Sequence, residues 1–94
     1  MNFSELRDIK NYLDSHINSN RYYLTKDKIY VVNNEHIQCE IPLPRINDVA
    51  LNGFYQMYYV GEEIEVIIDR RTFYDYSMIL DEEKLTLKNL TLVK

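Results

Sequence analysis

The sequence contains few of the residues that crosslink a chain or interrupt regular structure. Its 94 residues include one cysteine, two prolines, two glycines and no tryptophan. A lone thiol, Cys39, cannot form an internal disulfide, so a scaffold held by disulfides is excluded. Cys39 alternates with Ile37 and Ile41, and we therefore interpret it as a small buried hydrophobic residue rather than a reactive thiol.

Long apolar runs are also absent from the sequence. No stretch approaches the roughly 20 consecutive apolar residues that span a bilayer. Glu5 and Asp8 stand where a signal peptide carries positive charge. We therefore predict one domain over residues 1–94, located in the cytoplasm, or in the host cytoplasm for a viral protein.

Positive charge is scarce, and the deficit is confined to one half of the chain. The formal net charge is −4. Residues 1–46 carry six acidic and six basic side chains, whereas residues 47–94 carry nine and five. Binding to a nucleic-acid backbone rewards clustered Lys and Arg, so this balance argues against nucleic acid and favours a basic protein partner.

The choice of residues is skewed in a way that indicates the source of the chain. Alanine occurs once, while Asn, Ile, Lys and Tyr together supply 34 residues. Alanine is normally among the commonest residues of globular domains. AT-rich codons encode the favoured set, so the composition points to an AT-rich bacterial, archaeal or viral genome.

The N-terminal segment has the periodicity of an amphipathic helix, predicted over residues 3–18. Its apolar residues recur at spacings of three and four: Leu6, Ile9, Leu13 and Ile17. Asn2, with Glu5 three residues later, resembles a capping box at the start of this helix. Such an apolar stripe must be buried against another element of the fold.

The rest of the chain alternates as strands do, within residues 21–41 and 54–93. One run places three aliphatic side chains on the same face: Ile64, Val66 and Ile68. Gly61-Glu62 predicts a type II′ hairpin turn, and a slip in the alternation predicts a bulge at Lys88-Asn89. We therefore predict an α+β fold, with the helix on one face of a mainly antiparallel sheet of five to six strands that can curl strongly toward a barrel.

Residues capable of chemistry do not form a catalytic or metal-binding motif. His36 and Cys39 stand at an odd separation on a strand, which directs their side chains to opposite faces and argues against zinc. Neither glycine belongs to a nucleophile elbow or a phosphate-binding loop. A shallow site around Glu63, Glu65 and Asp69 is the arrangement left for an enzyme, and a solvated strand face is the favoured interpretation. We predict no enzyme, no cofactor and no metal.

The acidic residues of the second half cluster in predicted turns. In an up-and-down meander, alternate turns lie at the same end of the sheet, so two acidic turns meet if residues 72–80 form one strand. A short helix over residues 72–80 is the alternative, and it would separate them. The carboxylates brought together are those of Glu62, Glu63, Asp81, Glu82 and Glu83. Such a patch can steer the domain onto a basic partner.

Tyrosine is the most unusual component, with nine residues. Adjacent pairs such as Tyr22-Tyr23 must point to opposite faces of a sheet. Some rings should therefore stand on the face that the helix leaves open, where exposed aromatic side chains indicate a protein interface. The rings that we assign to this partner-binding surface, beside the acidic residues, are Tyr58, Tyr59, Tyr74 and Tyr76.

These observations predict a small acidic protein–protein interaction module, such as a phage- or virus-encoded inhibitor of a host nucleic-acid-handling or defence protein. The alternative is a nucleic-acid-binding regulator that uses the basic first hairpin. Its contacts would be Arg21, Tyr22, Tyr23, Lys26 and Lys28. A homodimer through the closing strand, Leu85–Val93, is a separate prediction, because an apolar strand at a sheet edge invites pairing.

Overall fold

The protein folds as two four-stranded antiparallel sheets that share one core. The computed structural model describes residues 6–47, 49–71 and 74–93. The first sheet contains β1 (Asn11–Asp14), β2 (Arg21–Leu24), β3 (Lys28–Asn33) and β4 (His36–Pro42). The second contains β5 (Leu51–Val60), β6 (Glu63–Arg70), β7 (Asp75–Asp81) and β8 (Thr86–Val93). Within each sheet the strands follow one another in chain order, as an up-and-down meander.

The prediction of an α+β fold with an N-terminal helix is wrong, because the described part of the chain contains no helix. Residues 11–14 form β1, in which Tyr12 pairs with Tyr23 and Leu13 with Tyr22. In this arrangement Leu13 packs against the core, whereas Ile9 and Ile17 are exposed. The predicted capping box at Asn2 and Glu5 lies outside the described residues. The apolar residues spaced three and four apart therefore do not form one buried stripe.

The core is built from the strand faces that the two sheets turn toward each other. Its fully buried members from the first sheet are Tyr22, Leu24, Ile29 and Val31, and those from the second are Phe54, Ile64, Val66 and Ile68. The predicted shared face of β6 is confirmed by the last three. Full burial of one such aliphatic side chain contributes about 1.5–3 kcal/mol, so these two faces supply most of the apolar burial in the fold.

The N-terminal segment covers the outer face of the first sheet without forming a helix. Leu6, Tyr23 and Val32 form a second buried cluster, and Tyr30 and Ile37 pack against it. Because side chains alternate along a strand, Tyr23 and Val32 lie on the face opposite Tyr22 and Val31. Leu6 thus performs the covering role that the sequence assigned to a longer helix.

Hydrogen bonds between the two sheets join them along β1 and β5. Asn11 Nδ2 donates to the carbonyl oxygen of Met57 at 2.9 Å. The Tyr59 hydroxyl donates to the carbonyl oxygen of Asp14 at 2.6 Å. These contacts bring the loop between β1 and β2 next to the turn between β5 and β6.

The tight turns follow the local sequence closely. Gly61 has φ 62°, while Glu62 is not among the residues with positive φ, which is the pattern of a type II′ turn and confirms that prediction. The turn between β3 and β4 has positive φ at both central residues, Asn34 (51°) and Glu35 (64°), as in a type I′ turn. In β8, Asn89 has φ 58° and one extra residue faces β7, so the bulge predicted at Lys88-Asn89 is confirmed.

Glu35→Gly is expected to stabilise the protein by about 0.5–1 kcal/mol, because glutamate in the left-handed region is strained and Asn-Gly is the preferred type I′ pair. Urea unfolding followed by circular dichroism measures the change. Glu62→Gly is the matched control, since Glu62 occupies a turn position without positive φ. It should lower stability slightly through the added freedom of the unfolded chain. Equal effects of the two substitutions would contradict the assignment of strain to Glu35.

Candidate acidic interaction surface

The two acidic turns of the second sheet lie at the same end of the molecule. Residues 75–81 form a strand, so the turns that precede β6 and follow β7 are adjacent; Thr72 and Phe73 lie outside the described residues. Both turns line one hollow of about 310 Å³. We call its five acidic residues the acidic end: Glu62, Glu63, Asp81, Glu82 and Glu83. The structure therefore brings together the carboxylates that the sequence grouped.

Glu82 is held in place by side chains of the first sheet. Its Oε1 atom accepts hydrogen bonds from Ser15 Oγ at 2.7 Å and from the Tyr22 hydroxyl at 2.8 Å. Burial, reinforced by this bond to Glu82, raises the pKa of Tyr22 to about 12. Tyr22 is fully buried, so the bond to Glu82, together with hydrogen bonds to Asn20 and Ser15, satisfies its phenol in the core. Glu82 is thus a structural tie between the two sheets.

Asp81 organises the turn between β7 and β8. Its Oδ1 atom accepts hydrogen bonds from the backbone N–H groups of Glu83 and Lys84, both at 3.0 Å. The bond from Lys84 is the main reason that the pKa of Asp81 lies below its ordinary value. Lys88 Nζ also lies 3.7 Å from Asp81 Oδ2. Asp81 therefore stabilises the turn that holds Glu82 and Glu83 at the acidic end.

Three carboxylates of the acidic end remain directed to solvent. Glu62, Glu63 and Glu83 are exposed, and within the described ranges none of them accepts a side-chain hydrogen bond. Glu62 and Glu63 stand at the turn before β6, and Glu83 stands at the turn after β7. Their charge is consequently available to an approaching molecule, in contrast to the charges of Asp81 and Glu82.

An apolar side chain lies beside these carboxylates. Ile17, in the loop between β1 and β2, lines the same hollow and is 62% exposed. Ser15 Oγ accepts the backbone N–H groups of Ile17 and Asn18, at 3.2 and 3.3 Å, which turns the loop. His16 stacks on Tyr59 with ring centroids 3.8 Å apart and planes within 5°. The loop is therefore braced at its base and presents an isoleucine at its tip.

Sequence reasoning missed this loop because it assigned Ser15, His16 and Ile17 to a helix. The available signal was the run that follows, Asn18-Ser19-Asn20, which is typical of turns. Extending that turn by three residues would have placed Ile17 on a loop. An exposed isoleucine on a loop, unlike one on a helix stripe, suggests a contact surface.

The four tyrosines predicted for the partner surface do not come together. Tyr59 and Tyr76 pack against the core on the inner face of the second sheet, and Tyr58 pairs with Glu65 on its outer face. Burial raises the pKa of Tyr59. Tyr74 lies near Arg70, at the end opposite the acidic turns. The most exposed rings are two outside the predicted set, Tyr12 and Tyr55.

The first hairpin does not present the features expected of a nucleic-acid surface. Tyr22 and Tyr23 are buried, so neither ring is open to stack on a base. Arg21 forms a salt bridge with Asp14, at 2.5 Å, and this bond is the main reason that the pKa of Asp14 lies below its ordinary value. Lys28 forms a salt bridge with Glu40 at 2.8 Å.

The chain matches no protein-family model, no curated protein and no solved structure. The candidate site is accordingly defined by its geometry. Within residues 6–47, 49–71 and 74–93, no three His, Cys, Asp or Glu side chains are grouped so as to hold a metal ion. The same ranges contain no helix that is long and apolar enough to cross a membrane.

The opposite end of the molecule carries basic side chains. Lys10 and Lys26 line a small hollow together with Asn52, and Arg71 Nε donates to Asn52 Oδ1 at 3.2 Å. Arg70 lies over the Tyr76 ring, 4.8 Å from its centroid. Asp69 lines the same hollow as the two lysines, so this end carries both signs of charge. We call it the basic end because its lysines and arginines contrast with the acidic turns.

Proposed function

We propose that this chain is a small protein–protein interaction module whose acidic end docks on a basic surface of another protein. The observation that carries the proposal is the frame around the hollow. Glu82 and Asp81 are fixed by hydrogen bonds inside the fold, while Glu62, Glu63 and Glu83 face solvent. The bonded turns fix the backbone positions from which the three exposed glutamates project, so binding orders their side chains but does not have to order the turns.

Ile17 supports a docking role rather than mere solubility. Interfaces combine a desolvated apolar centre with a polar rim that contributes mainly to orientation and association rate. Ile17 stands against the acidic hollow and is highly exposed. We propose that it inserts between basic side chains of the partner, with the carboxylates forming the rim.

The separation of charge gives the approach a direction. The acidic end attracts a basic surface, while Lys10, Lys26, Arg70 and Arg71 at the other end are repelled by it. Such a charge distribution raises the fraction of encounters that occur in the productive orientation. The same charge separation disfavours non-specific binding to a polyanion or a polycation, because one end of the molecule would be repelled by either polymer.

The partner class we propose is a host nucleic-acid-handling or defence protein. Grooves shaped for phosphates are basic and concave, so an acidic frame with a protruding apolar tip can occupy one and inhibit it. The excess of Asn, Ile, Lys and Tyr, which AT-rich codons encode, is compatible with a phage- or virus-encoded inhibitor acting in the host cytoplasm. Burial of Tyr22 and Tyr23 supports a protein partner over the nucleic-acid alternative.

Reversing two exposed charges of the acidic end is expected to slow association with the partner. The chain is immobilised, proteins captured from a host lysate are identified, and the purified partner is then studied by stopped-flow kinetics. Glu62→Lys/Glu83→Lys should lower the association rate constant about tenfold at low salt and flatten its salt dependence, because long-range attraction is lost. Thermal unfolding checks that the variant is folded.

Asp27→Lys/Asp75→Lys is the matched control, because it changes the net charge by the same amount at the basic end and breaks none of the salt bridges of the described residues. It should leave the association rate constant within about threefold of the original value. If both double variants slow association equally, net charge rather than the acidic end is responsible. If neither does, the docking proposal fails.

A further inference from the structure

In the part of the chain that the structure describes, the outer edge of β8, the last strand, is unpaired and carries few of the features that prevent pairing with another strand. Within the described ranges, β8 pairs only with β7. The first sheet also has an open edge at β4, but exposed polar or charged side chains alternate along it and it ends in proline: His36, Gln38, Glu40 and Pro42. Natural proteins protect edges with such residues. Lys88 and the bulge at Asn89 protect only the first half of β8.

The second half of β8 is uncharged and apolar. We call Leu90–Val93 the edge segment. Leu90 is 47% exposed and Leu92 is 46% exposed. Leu92 pairs with Tyr76, whose side chain packs on the core, and Leu90 shares this inner face because it stands two residues away. Two exposed leucines therefore line the inner face beside the row of unpaired backbone groups.

Coverage of this inner face decreases toward the edge. Leu80 on β7 is 3% exposed, its partner on β8, Leu87, is half-buried, and Leu92 is exposed. The first sheet therefore covers the inner face incompletely at β8. An added strand would extend both the hydrogen-bonded ladder and the apolar face.

We propose that the edge segment pairs antiparallel with the same segment of a second copy of this chain, around a twofold axis at Thr91. In this register Leu90 lies opposite Leu92 of the second copy, and Leu92 lies opposite its Leu90. Both pairs lie on the inner face, where cross-strand apolar pairs stabilise a sheet. The two second sheets then form one continuous eight-stranded sheet.

The order of residues around Thr91 favours a second copy as the occupant. Leu90 and Leu92 are symmetric about Thr91, so a twofold axis there places leucine opposite leucine in both pairs. The edge segment itself carries no charge, and in this register Lys88 faces the sequence position of Lys94 three residues from the axis, a repulsion that salt screens. From Thr91 to Thr86, where β8 begins, the strand extends about 17 Å at about 3.3 Å per residue. The two acidic ends therefore stand more than about 30 Å apart, several times the Debye length of about 8 Å at physiological salt. The dimer buries no part of the acidic end, so it is independent of the proposed docking function.

Sedimentation velocity over a wide range of concentration tests the dimer. Two double variants distinguish this register from non-specific hydrophobic association. Leu90→Lys/Leu92→Lys places like charges opposite each other and should raise the dimer Kd at least tenfold. Leu90→Lys/Leu92→Glu places opposite charges across the axis in both pairs. It should dimerise at least about tenfold more tightly than the first variant, with a Kd that rises with salt.

Amide hydrogen exchange of the unaltered chain provides a measurement that needs no substitution. Protection of the edge segment should increase with protein concentration, while protection of β4 should not. A chain that stays monomeric at millimolar concentration overturns the proposal and leaves the edge for a strand of another protein. Equal dimerisation of the two double variants, whether strong or weak, also overturns it.

Discussion

Replacing Gly53 with alanine is expected to destabilise the protein by about 3 kcal/mol or more. Gly53 has φ 144°, in a region that only glycine adopts readily, which costs other residues about 1–3 kcal/mol. A β-carbon there would also stand 2.6 Å from Lys26 Cγ and 2.7 Å from the Lys26 carbonyl oxygen. That carbonyl accepts the Phe54 N–H at 2.7 Å, so it cannot move away without breaking a contact between the sheets.

Thermal unfolding by circular dichroism measures this effect, and the midpoint should fall by more than about 10 °C. Gly61→Ala is the control. Gly61 also has positive φ, but no atom lies within 4 Å of an added β-carbon. It should therefore cost only the conformational term of about 1–2 kcal/mol. If the two substitutions cost the same, the close approach of β5 to Lys26 does not constrain the fold.

Alkaline pH is expected to weaken the fold through Tyr22. Its pKa is about 12 in the folded chain against an ordinary value of 10.0. A raised pKa means that the neutral phenol is favoured by folding. The resulting stabilisation is complete below pH 10 and is lost as the pH rises from 10 to 12. The loss amounts to about 2–3 kcal/mol, at about 1.4 kcal/mol for each tenfold change in acidity.

Tyr22→Phe isolates this contribution. At pH 7 the variant should be less stable by about 1–2 kcal/mol, because the hydrogen bond to the Glu82 carboxylate is lost. The two proteins should become equally stable at about pH 11, because the variant has no phenol to ionise there. Urea unfolding at pH 7, 9, 10 and 11 measures both curves. A constant difference across this range would contradict the role of Tyr22.

Tyr55→Phe controls for the removal of a phenol as such, because Tyr55 is among the most exposed rings. It should leave stability at pH 7 unchanged. The comparison also bears on the candidate site, since Tyr22 orients Glu82. If Tyr22→Phe slows partner association much more than Tyr55→Phe does, the frame around the acidic hollow depends on this buried bond.

Much of the second sheet could be predicted from the sequence. The alternation of Ile64, Val66 and Ile68 identified β6 and its buried face, and Gly61 identified the turn before it. The slip near Lys88-Asn89 identified the bulge. These features depend on a few neighbouring residues, because side chains on a strand alternate with a period of two and tight turns require particular φ values. The meeting of Glu62 with Glu82 followed from the same local rules once residues 75–81 formed a strand.

The N-terminal segment could not be assigned in this way. Leu6, Ile9, Leu13 and Ile17 fit a helix, but helix propensities differ by only a few tenths of a kcal/mol among ordinary residues. Pairing of Leu13 with Tyr22 buries apolar surface worth more than that difference. The outcome depended on β2 being available as a partner, which the segment itself does not encode.

The sequence by itself determined most of the strands from residue 21 onward and the turns between them, because each rests on contacts within a hairpin. It left residues 72–80 open between strand and helix, and the meeting of the acidic turns depended on that choice. Only the tertiary structure decided that the strands form two sheets, that Tyr22 and Tyr23 are buried, and that Glu82 is a tie while Glu62 and Glu83 are free to act. The physical reason is that burial and hydrogen-bond partners depend on which surfaces meet, and here the decisive partners are distant in the chain: Ser15 and Tyr22 with Glu82, Asp14 with Tyr59, and Lys26 with Gly53.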